Sequence, residues 1–368
     1  MDVTLSRPDL YEELQLIQGV LERRATIPIL SNILLTAQGD QLKLAATDLD
    51  VTLFTSCSAT VRQEGRATIH GKVFFDLVRS LPQETLDVTL TDGRIEVRSG
   101  TFHSHIASLD PTDFPTLPEI PEGQGFAVPL PILHRLIDST IYAVSSEEGH
   151  FQYNAAMLLL AEQNVTMVGT DGHRLAYAQL PCSGGTPPFP QQLLPRKVLH
   201  QLRRIDHEGA SAYIARGESH IAFRLGDRVL LSRALEARFP QYERLLTRDH
   251  PYRARLQRDE FVAALRRVVI LTSEKTHGVE LRLDEDSLSL ASVGFDLGGA
   301  QEVVNCQFHG PTLRLLVNGQ YLLDFATAVT AAEIELNLRD DEAPLLLAPV
   351  DPDPPGSDVA CVIMPIRL

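Results

Sequence analysis

Within Thr170-Asp171-Gly172-His173-Arg174-Leu175 a carboxylate, an imidazole and a guanidinium fall inside four residues. Such a trio invites a general-base or metal-ligand reading. A base, however, needs an orienting partner and a nucleophile, and a metal site needs a second cluster of ligands. The sequence offers neither. His70, His103, His105, His150, His220, His277 and His309 are scattered without ligand spacing, and Cys57, Cys182, Cys306 and Cys361 form no CxxC or Cys/His cluster. A GxxxxGK[ST] phosphate loop, a GxSxG elbow and an HExxH helix are all absent. Asp171-Gly172 therefore reads as a tight turn with Arg174 held against its neighbours. No catalytic residue, cofactor or metal is expected, and the cysteines are expected as reduced thiols in or near cores.

The elements that would position these residues recur. Helical periodicity covers Leu10–Leu21, Ile132–Val144 and Asp259–Leu271, and each stretch is followed by a strand, a turn and another strand. A second helical pattern follows each hairpin, over Lys72–Leu81, Arg196–Ile205 and Gly319–Thr330. Alternating strands occupy Asp87–Leu90 with Arg94–Arg98, Ile221–Leu225 with Val229–Ser232, and Glu333–Leu338. Turns fall at Thr91-Asp92-Gly93 and Leu225-Gly226-Asp227. The period divides 368 residues into three units of about 120, each with two helices and roughly eight strands. Two helices can cover one sheet face only, so the class is α+β: three similar domains, each with two helices on one side of antiparallel sheets. The domains are expected at 1–124, 125–251 and 252–368. Proline-bearing linkers at Pro115–Gly123 and Thr247–Pro251 join them.

Composition narrows the function classes. A hydrophobic content of 44% allows each unit an ordinary core. There is no apolar run long enough to span a bilayer and no secretory leader, so the expected location is cytoplasmic, away from membranes. Trp is absent, which argues against a base-stacking surface for single strands. The formal charge of −15 divides as −8, +1 and −8 over the three units. Acidic chains bind nucleic acid poorly unless their cations are gathered on one surface. Here they gather on the helices: Arg23 and Arg24; Lys72 and Arg79; His134 and Arg135; Arg196, Lys197, Arg203 and Arg204; Arg258, Arg266 and Arg267. Arg23 and Arg24 follow the end of the first helix pattern and the sixth has no cation, while Asp284-Glu285-Asp286 and Asp340-Asp341-Glu342 place acid on loops. The pattern predicts a basic helical face and an acidic sheet face.

An ordered set of short motifs carries a resemblance. It comprises Pro28-Ile29-Leu30-Ser31-Asn32 after Arg24, Phe74-Phe75-Asp76 with Leu81-Pro82, Asp113-Phe114-Pro115, and Thr170 through Ala176. It continues with Pro195-Arg196-Lys197, Arg238-Phe239-Pro240-Gln241-Tyr242, Ser273-Glu274-Lys275 and the terminal Met364-Pro365-Ile366-Arg367-Leu368. Over essentially its whole length the chain resembles the bacterial sliding clamps, the beta subunits of DNA polymerase III. The resemblance implies a ring-forming DNA clamp: a head-to-tail homodimer of six domains with helices lining a hole through which duplex DNA passes without sequence readout. It further implies a processivity factor that tethers DNA polymerase subunits, is loaded by an ATP-driven clamp loader, and captures repair factors through linear clamp-binding motifs.

Carried over by position, the resemblance implies DNA contacts at Arg24, Lys72, Arg79, Arg196, Lys197, Phe151 and Gln152, where Gln152 replaces the usual aromatic. It implies a partner-peptide pocket from Tyr153, Thr170, Gly172, His173, Arg174, Leu175, Pro240, Arg244, Leu245, Val362, Met364, Pro365, Ile366, Arg367 and Leu368. Leu175, Leu245, Val362, Met364 and Ile366 have the chemistry of an apolar slot, and Met364 can adapt to several ligands. The dimer contact is expected between Thr101, His103, Ser104 and Ile106 on one side and Ile270, Leu271 and the loop near Gly294–Glu302 on the other. This contact departs from the usual pattern, because charge is reduced on both sides and Ser104 stands where a large apolar residue is common. Fewer ion pairs imply a dimer that closes with less sensitivity to salt.

Overall fold

One order of elements is written three times along the chain: strand, helix, four strands, helix, three strands. The computed structural model describes all residues except 23–25, 122–124, 147–152, 207–209, 295–297 and 368. The first repeat runs β1 (Asp2–Ser6), α1 (Arg7–Ile17), β2 (Asn32–Gln38), β3 (Gln41–Thr47), β4 (Val51–Gln63), β5 (Gly65–His70), α2 (Gly71–Ser80), β6 (Thr85–Thr91), β7 (Arg94–Ser99) and β8 (Phe102–Ala107). The second runs β9 (Gly125–Pro129), α3 (Leu130–Asp138), β10 (Ala155–Leu160), β11 (Asn164–Thr170), β12 (Arg174–Pro181), β13 (Gln191–Pro195), α4 (Arg196–Arg204), β14 (Ser211–Arg216), β15 (His220–Leu225) and β16 (Arg228–Arg233). The third runs β17 (Tyr252–Gln257), α5 (Arg258–Val269), β18 (Gly278–Asp284), β19 (Ser287–Ser292), β20 (Gln301–Phe308), β21 (Leu313–Asn318), α6 (Gly319–Ala328), β22 (Glu333–Leu338), β23 (Leu345–Pro349) and β24 (Asp358–Ile363).

Local chemistry sets the boundaries. Ser6 caps α1 by accepting from the Asp9 amide, so this helix starts three residues before its apolar periodicity does. The Asn318 side chain caps α6 through the Gln320 and Tyr321 amides, at 2.9 and 3.3 Å. The helix predicted over Ile132–Val144 stops at Asp138 and resumes as a 3-10 turn over Ile141–Ala143. Thr140 lies in the break and donates its hydroxyl back to the Leu136 carbonyl, a local bond that competes with helix continuation. Asp92 and Gly93 both take left-handed backbone at φ 49° and 72°, which matches the twist of the β6–β7 hairpin they close.

The chain gathers into two compact units that share out the second repeat. One comprises Met1–Leu130 with Lys197–Ala234, the other Pro131–Arg196 with Leu235–Leu368. In the first unit the strands run in the order β8-β7-β6-β1-β4-β16-β15-β14-β9, with β2, β3 and β5 completing the sheet. β16 joins β4 antiparallel, from Val229 opposite Phe54 to Ser232 opposite Val51. In the second unit the order is β13-β10-β11-β12-β24-β23-β22-β17-β20-β19-β18-β21. β24 joins β12 from Arg174 opposite Ile363 to Gln179 opposite Asp358. Every pairing described is antiparallel, as short hairpin connections require.

The helices cover their sheets with their apolar stripes. Phe74, Phe126, Phe223, Phe261, Phe308 and Phe325 are fully buried, and α4 turns Val198, Leu199 and Leu202 inward while Arg203 and Arg204 lie exposed. All four cysteines are buried and free. Burial pushes the Cys57 and Cys361 thiols up to about 12 and Cys306 to about 11, so thiolate is scarce at neutral pH. The expected outcome of alkylation with iodoacetamide at pH 8 is negligible labelling of the folded chain and four modified cysteines after denaturation, read by mass spectrometry. Rapid native labelling at Cys361 would contradict the burial described.

Candidate functional site

The turn between β11 and β12 is where the expected partner pocket and the chemically suggestive motif coincide. Asp171 Oδ1 accepts from the His173 and Arg174 amides at 3.0 Å each, and Gly172 supplies a φ of 89°. Thr170 accepts from the Gly172 amide and donates to the Arg174 carbonyl at 2.6 Å. The motif is thus a tight turn, and it aims the Arg174 side chain inward.

Arg174 is only 9% exposed and fully engaged. Its Nε meets Asp171 Oδ2 at 3.0 Å, its Nη1 meets Asp324 Oδ2 at 2.6 Å, and its Nη2 donates to the Tyr142 carbonyl. The guanidinium also stacks 4.1 Å from the Tyr321 ring centroid. Burial is the largest influence on its pKa and acts downward, yet Asp324 and Asp171 together outweigh it and hold the pKa above the usual arginine value. Around this group lies a polar cavity of about 920 Å³ lined by Tyr142, Tyr153, Gly172, His173, Arg196, Tyr321 and Asp324, among others.

Three apolar members of the expected pocket, Leu175, Val362 and Leu245, fall in a separate cluster. Leu175 and Val362 are buried with Met157, Leu346 and Ala360, and Leu245 packs on them half-buried together with Phe239, Tyr242 and Leu246. Tyr242 lies 6.3 Å from the Tyr177 ring and 6.1 Å from that of Phe239. Strand register accounts for the meeting of distant residues, since Leu175 stands opposite Val362 in the β12–β24 pair. Beyond β24 the chain passes the β11–β12 turn and runs on to β21. Met364 donates its amide to the His173 carbonyl at 3.0 Å, and Ile366 donates to Leu316 at 2.7 Å. Met364, Pro365, Ile366 and Pro240 are half-buried, Thr170 is buried, and Arg244 and Arg367 are exposed; Leu368 lies outside the described residues.

The expected pocket set therefore divides: Tyr153, Gly172, His173 and Arg174 line the polar cavity, Leu175, Leu245 and Val362 join the apolar cluster, and Arg367 lies at another cavity with Tyr252, Leu313 and Arg339. Sequence reasoning missed Tyr142, Tyr321 and Asp324, which come from elements with no local motif. It also passed over Phe239 and Tyr242, although the segment Arg238–Tyr242 had been singled out.

The expected DNA-contact residues meet different fates. Arg24, Phe151 and Gln152 lie outside the described residues. Lys72 and Arg79 are exposed on α2, with Lys72 Nζ 2.9 Å from Asp76 one turn away. Lys197 reaches the Val20 carbonyl and pairs with Asp48. Arg196 donates to the Ile141 and Val144 carbonyls, and desolvation lowers its pKa. Of the four described, Lys72 and Arg79 present the most accessible charge. At the expected dimer contact Thr101 and His103 are exposed and Ser104 and Ile106 half-buried on β8, while Ile270 is 75% exposed and Leu271 half-buried.

Repeated two-helix, eight-strand units whose sheets continue from one repeat into the next define the DNA-clamp class of folds. Family models of the DNA polymerase III beta subunit match the chain in succession, the N-terminal domain over residues 1–118, the central domain over 127–241 and the C-terminal domain over 243–367. The chain is 33% identical over 377 aligned positions to a beta sliding clamp of Caulobacter vibrioides and 32% identical over 371 to that of Pseudomonas aeruginosa, with all of each chain covered. A solved Pseudomonas aeruginosa sliding clamp bound to griselimycin superposes with a TM-score of 0.92 at 31% identity, again over all of both chains. The chain belongs to the DNA polymerase III beta subunit family, the bacterial beta sliding clamps.

Replacement of Arg174 tests the inner network. Arg174→Ala leaves the Asp324 carboxylate without its closest cation, and the expected loss is about 3 kcal/mol, measured as a lowered denaturant midpoint. Arg174→Lys should recover only part, because a point charge cannot span Asp171, Asp324 and Tyr142 together.

Proposed function

We propose that the chain is a non-catalytic processivity factor: a homodimeric ring that encircles duplex DNA and tethers replicative polymerase and other partners through peptide capture. The three domains are assigned to 1–124, 125–251 and 252–368. Two unfinished sheet edges carry this reading. β8, β16 and β24 hold the same place in their repeats, as do β4, β12 and β20. β16 pairs with β4 and β24 with β12, whereas β8 ends its sheet with β7 as its neighbour. The Gln301–Asn305 stretch of β20 pairs with β19 alone among the described strands. A second copy of the chain, placed head to tail, lets β8 pair with β20 twice and leaves no open edge of this kind. Exposed Val303, at 60%, and Ile270 lie where such a contact would cover them.

The remaining roles follow from this closure. Lys72 and Arg79, with Arg24, Arg196 and Lys197, would face phosphates, a contact blind to sequence and weakened by salt. Topological linkage then holds the protein on DNA while individual contacts stay weak enough to slide. The apolar floor of Leu175, Leu245 and Val362, with Met364 beside it, would take the hydrophobic side chains of a linear motif from polymerase, clamp loader or repair factors. Loading requires a separate ATP-driven partner, and a replication role places the protein in the cytoplasm.

Sedimentation at micromolar protein should give about twice 40.7 kDa, falling to the single-chain mass when Ile106→Asp and Ile270→Asp are combined. After loading, the wild type should stay on nicked circular DNA and leave linearised DNA; equal loss from both would overturn the ring. Replacing Lys72 or Arg79 by Ala should each reduce the salt slope of DNA association by up to ~0.9. Leu245→Asp should weaken capture of a clamp-binding peptide by roughly 2 kcal/mol, measured by fluorescence anisotropy, with dimer mass unchanged.

A further inference from the structure

We propose that Glu96, His103 and His105 form a binding site for a divalent transition-metal cation of the zinc type on the exposed face of the β7–β8 hairpin. Strand alternation puts His103 and His105 on one face of β8, while Phe102, Ser104 and Ile106 turn to the half-buried face. The β7–β8 register then sets Glu96 directly opposite His105 and Arg98 opposite His103. Thus the two imidazoles flank one carboxylate, although neither lies within six residues of it in sequence. Histidine spacing alone gave no hint of a third ligand.

The geometry is close to that of a three-ligand metal site. His103 Nε2 lies 3.4 Å from Glu96 Oε2, and His105 Nδ1 lies 3.8 Å from Glu96 Oε1. The ligating atoms of all three residues fall within 4.8 Å of one another. Around a tetrahedral zinc ion, with bonds of about 2.0–2.1 Å, donor atoms sit about 3.3 Å apart, so small side-chain rotations complete the set. The imidazole rings stand 4.5 Å apart at 70°, free of the parallel stacking that would turn their nitrogens away from a common point. Two imidazole nitrogens and one carboxylate favour zinc and its neighbours over calcium or magnesium, and leave a fourth position for water or an outside ligand.

One group opposes the metal. Arg98 Nη2 holds Glu96 Oε2 at 3.0 Å and would have to let go, which its 62% exposure permits. Arg98 therefore acts as a built-in competitor, and its removal should tighten binding. This behaviour separates a metal site from a surface ion-pair cluster, in which Arg98 would be a supporting member. The ring reading brings β20 of a second copy against β8, the strand that carries His103 and His105, so the titration is run on the wild type and on the combined Ile106→Asp and Ile270→Asp variant, whose single-chain form leaves the site uncovered.

The test titrates chelator-stripped full-length protein with Zn²⁺ alone, against a chromogenic chelator and by calorimetry. The expected result is one saturable equivalent per chain, weakened at least about tenfold in His103→Ala, His105→Ala and Glu96→Gln, and tightened severalfold in Arg98→Ala. Co²⁺ should give the visible spectrum of nitrogen and oxygen ligation. His309→Ala, a change at an exposed histidine in the third repeat, should bind as the wild type does. Absence of saturable binding at micromolar Zn²⁺, wild-type affinity in His105→Ala, or weaker binding in Arg98→Ala would overturn the proposal. Glu96→Gln keeps the side-chain shape, so its loss of metal cannot be blamed on unfolding.

Discussion

A strand at the edge of a sheet presents unpaired amides and carbonyls that must be matched, covered or left to water. That constraint organises the chain. Each repeat ends on a strand that finds only one partner within its own repeat, and for β16 and β24 the fourth strand of the preceding repeat supplies the other. β16 closes on β4, and β24 closes on β12. Pairing across repeats explains why the compact units cut through the second repeat: β9 and β14–β16 join the sheet begun by the first repeat, whereas β10–β13 join that of the third. A repeat here is a unit of sequence, and the sheet spanning two repeats is the unit of packing.

Side chains reinforce each of these joins. In the first unit Arg228 of β16 holds Glu13 of α1, with contacts at 2.6, 3.0 and 3.2 Å, and Thr55 of β4 donates to the same carboxylate. Hydrogen bonding by Glu13 is the leading reason the Arg228 pKa stands above its usual value. In the second unit Arg174, the first residue of β12, holds Asp324 of α6. Buried pairs of this kind add little net stability over an apolar replacement, but losing one partner strands the other, so they select a single arrangement of strand and helix. Both arginines lie in the second repeat, Arg174 on its fourth strand and Arg228 on its last, and each reaches a helix of a neighbouring repeat.

The repeat was legible because apolar periodicity survives where identity does not. Val198, Leu199 and Leu202 announce α4 as plainly as Phe261, Leu265 and Val268 announce α5. The cysteines, too, behave as the lack of any cluster suggested. What spacing could not supply was register and partner identity. Nothing local to Lys197 foretells Asp48, and nothing near Arg196 foretells the Ile141 and Val144 carbonyls, yet these contacts decide how much charge each cation presents. A count of basic residues on helices therefore overstates the accessible positive charge. The gathering of Glu96 between two histidines failed to register for the same reason, since it exists only once Glu96 is paired across from His105.

The Asp171 turn shows how a motif with the composition of a catalytic site can be structural. A carboxylate offers about four lone-pair directions. Asp171 gives two at Oδ1 to backbone amides and one at Oδ2 to Arg174, which leaves little capacity to take a proton from a substrate. Arg174 is equally committed, and the His173 carbonyl receives the amide of Met364. The whole constellation fixes the path of the chain where β12 begins and β24 ends, next to the apolar cluster of Leu175 and Val362. Polar groups tied to one another beside that cluster hold the turn in one conformation.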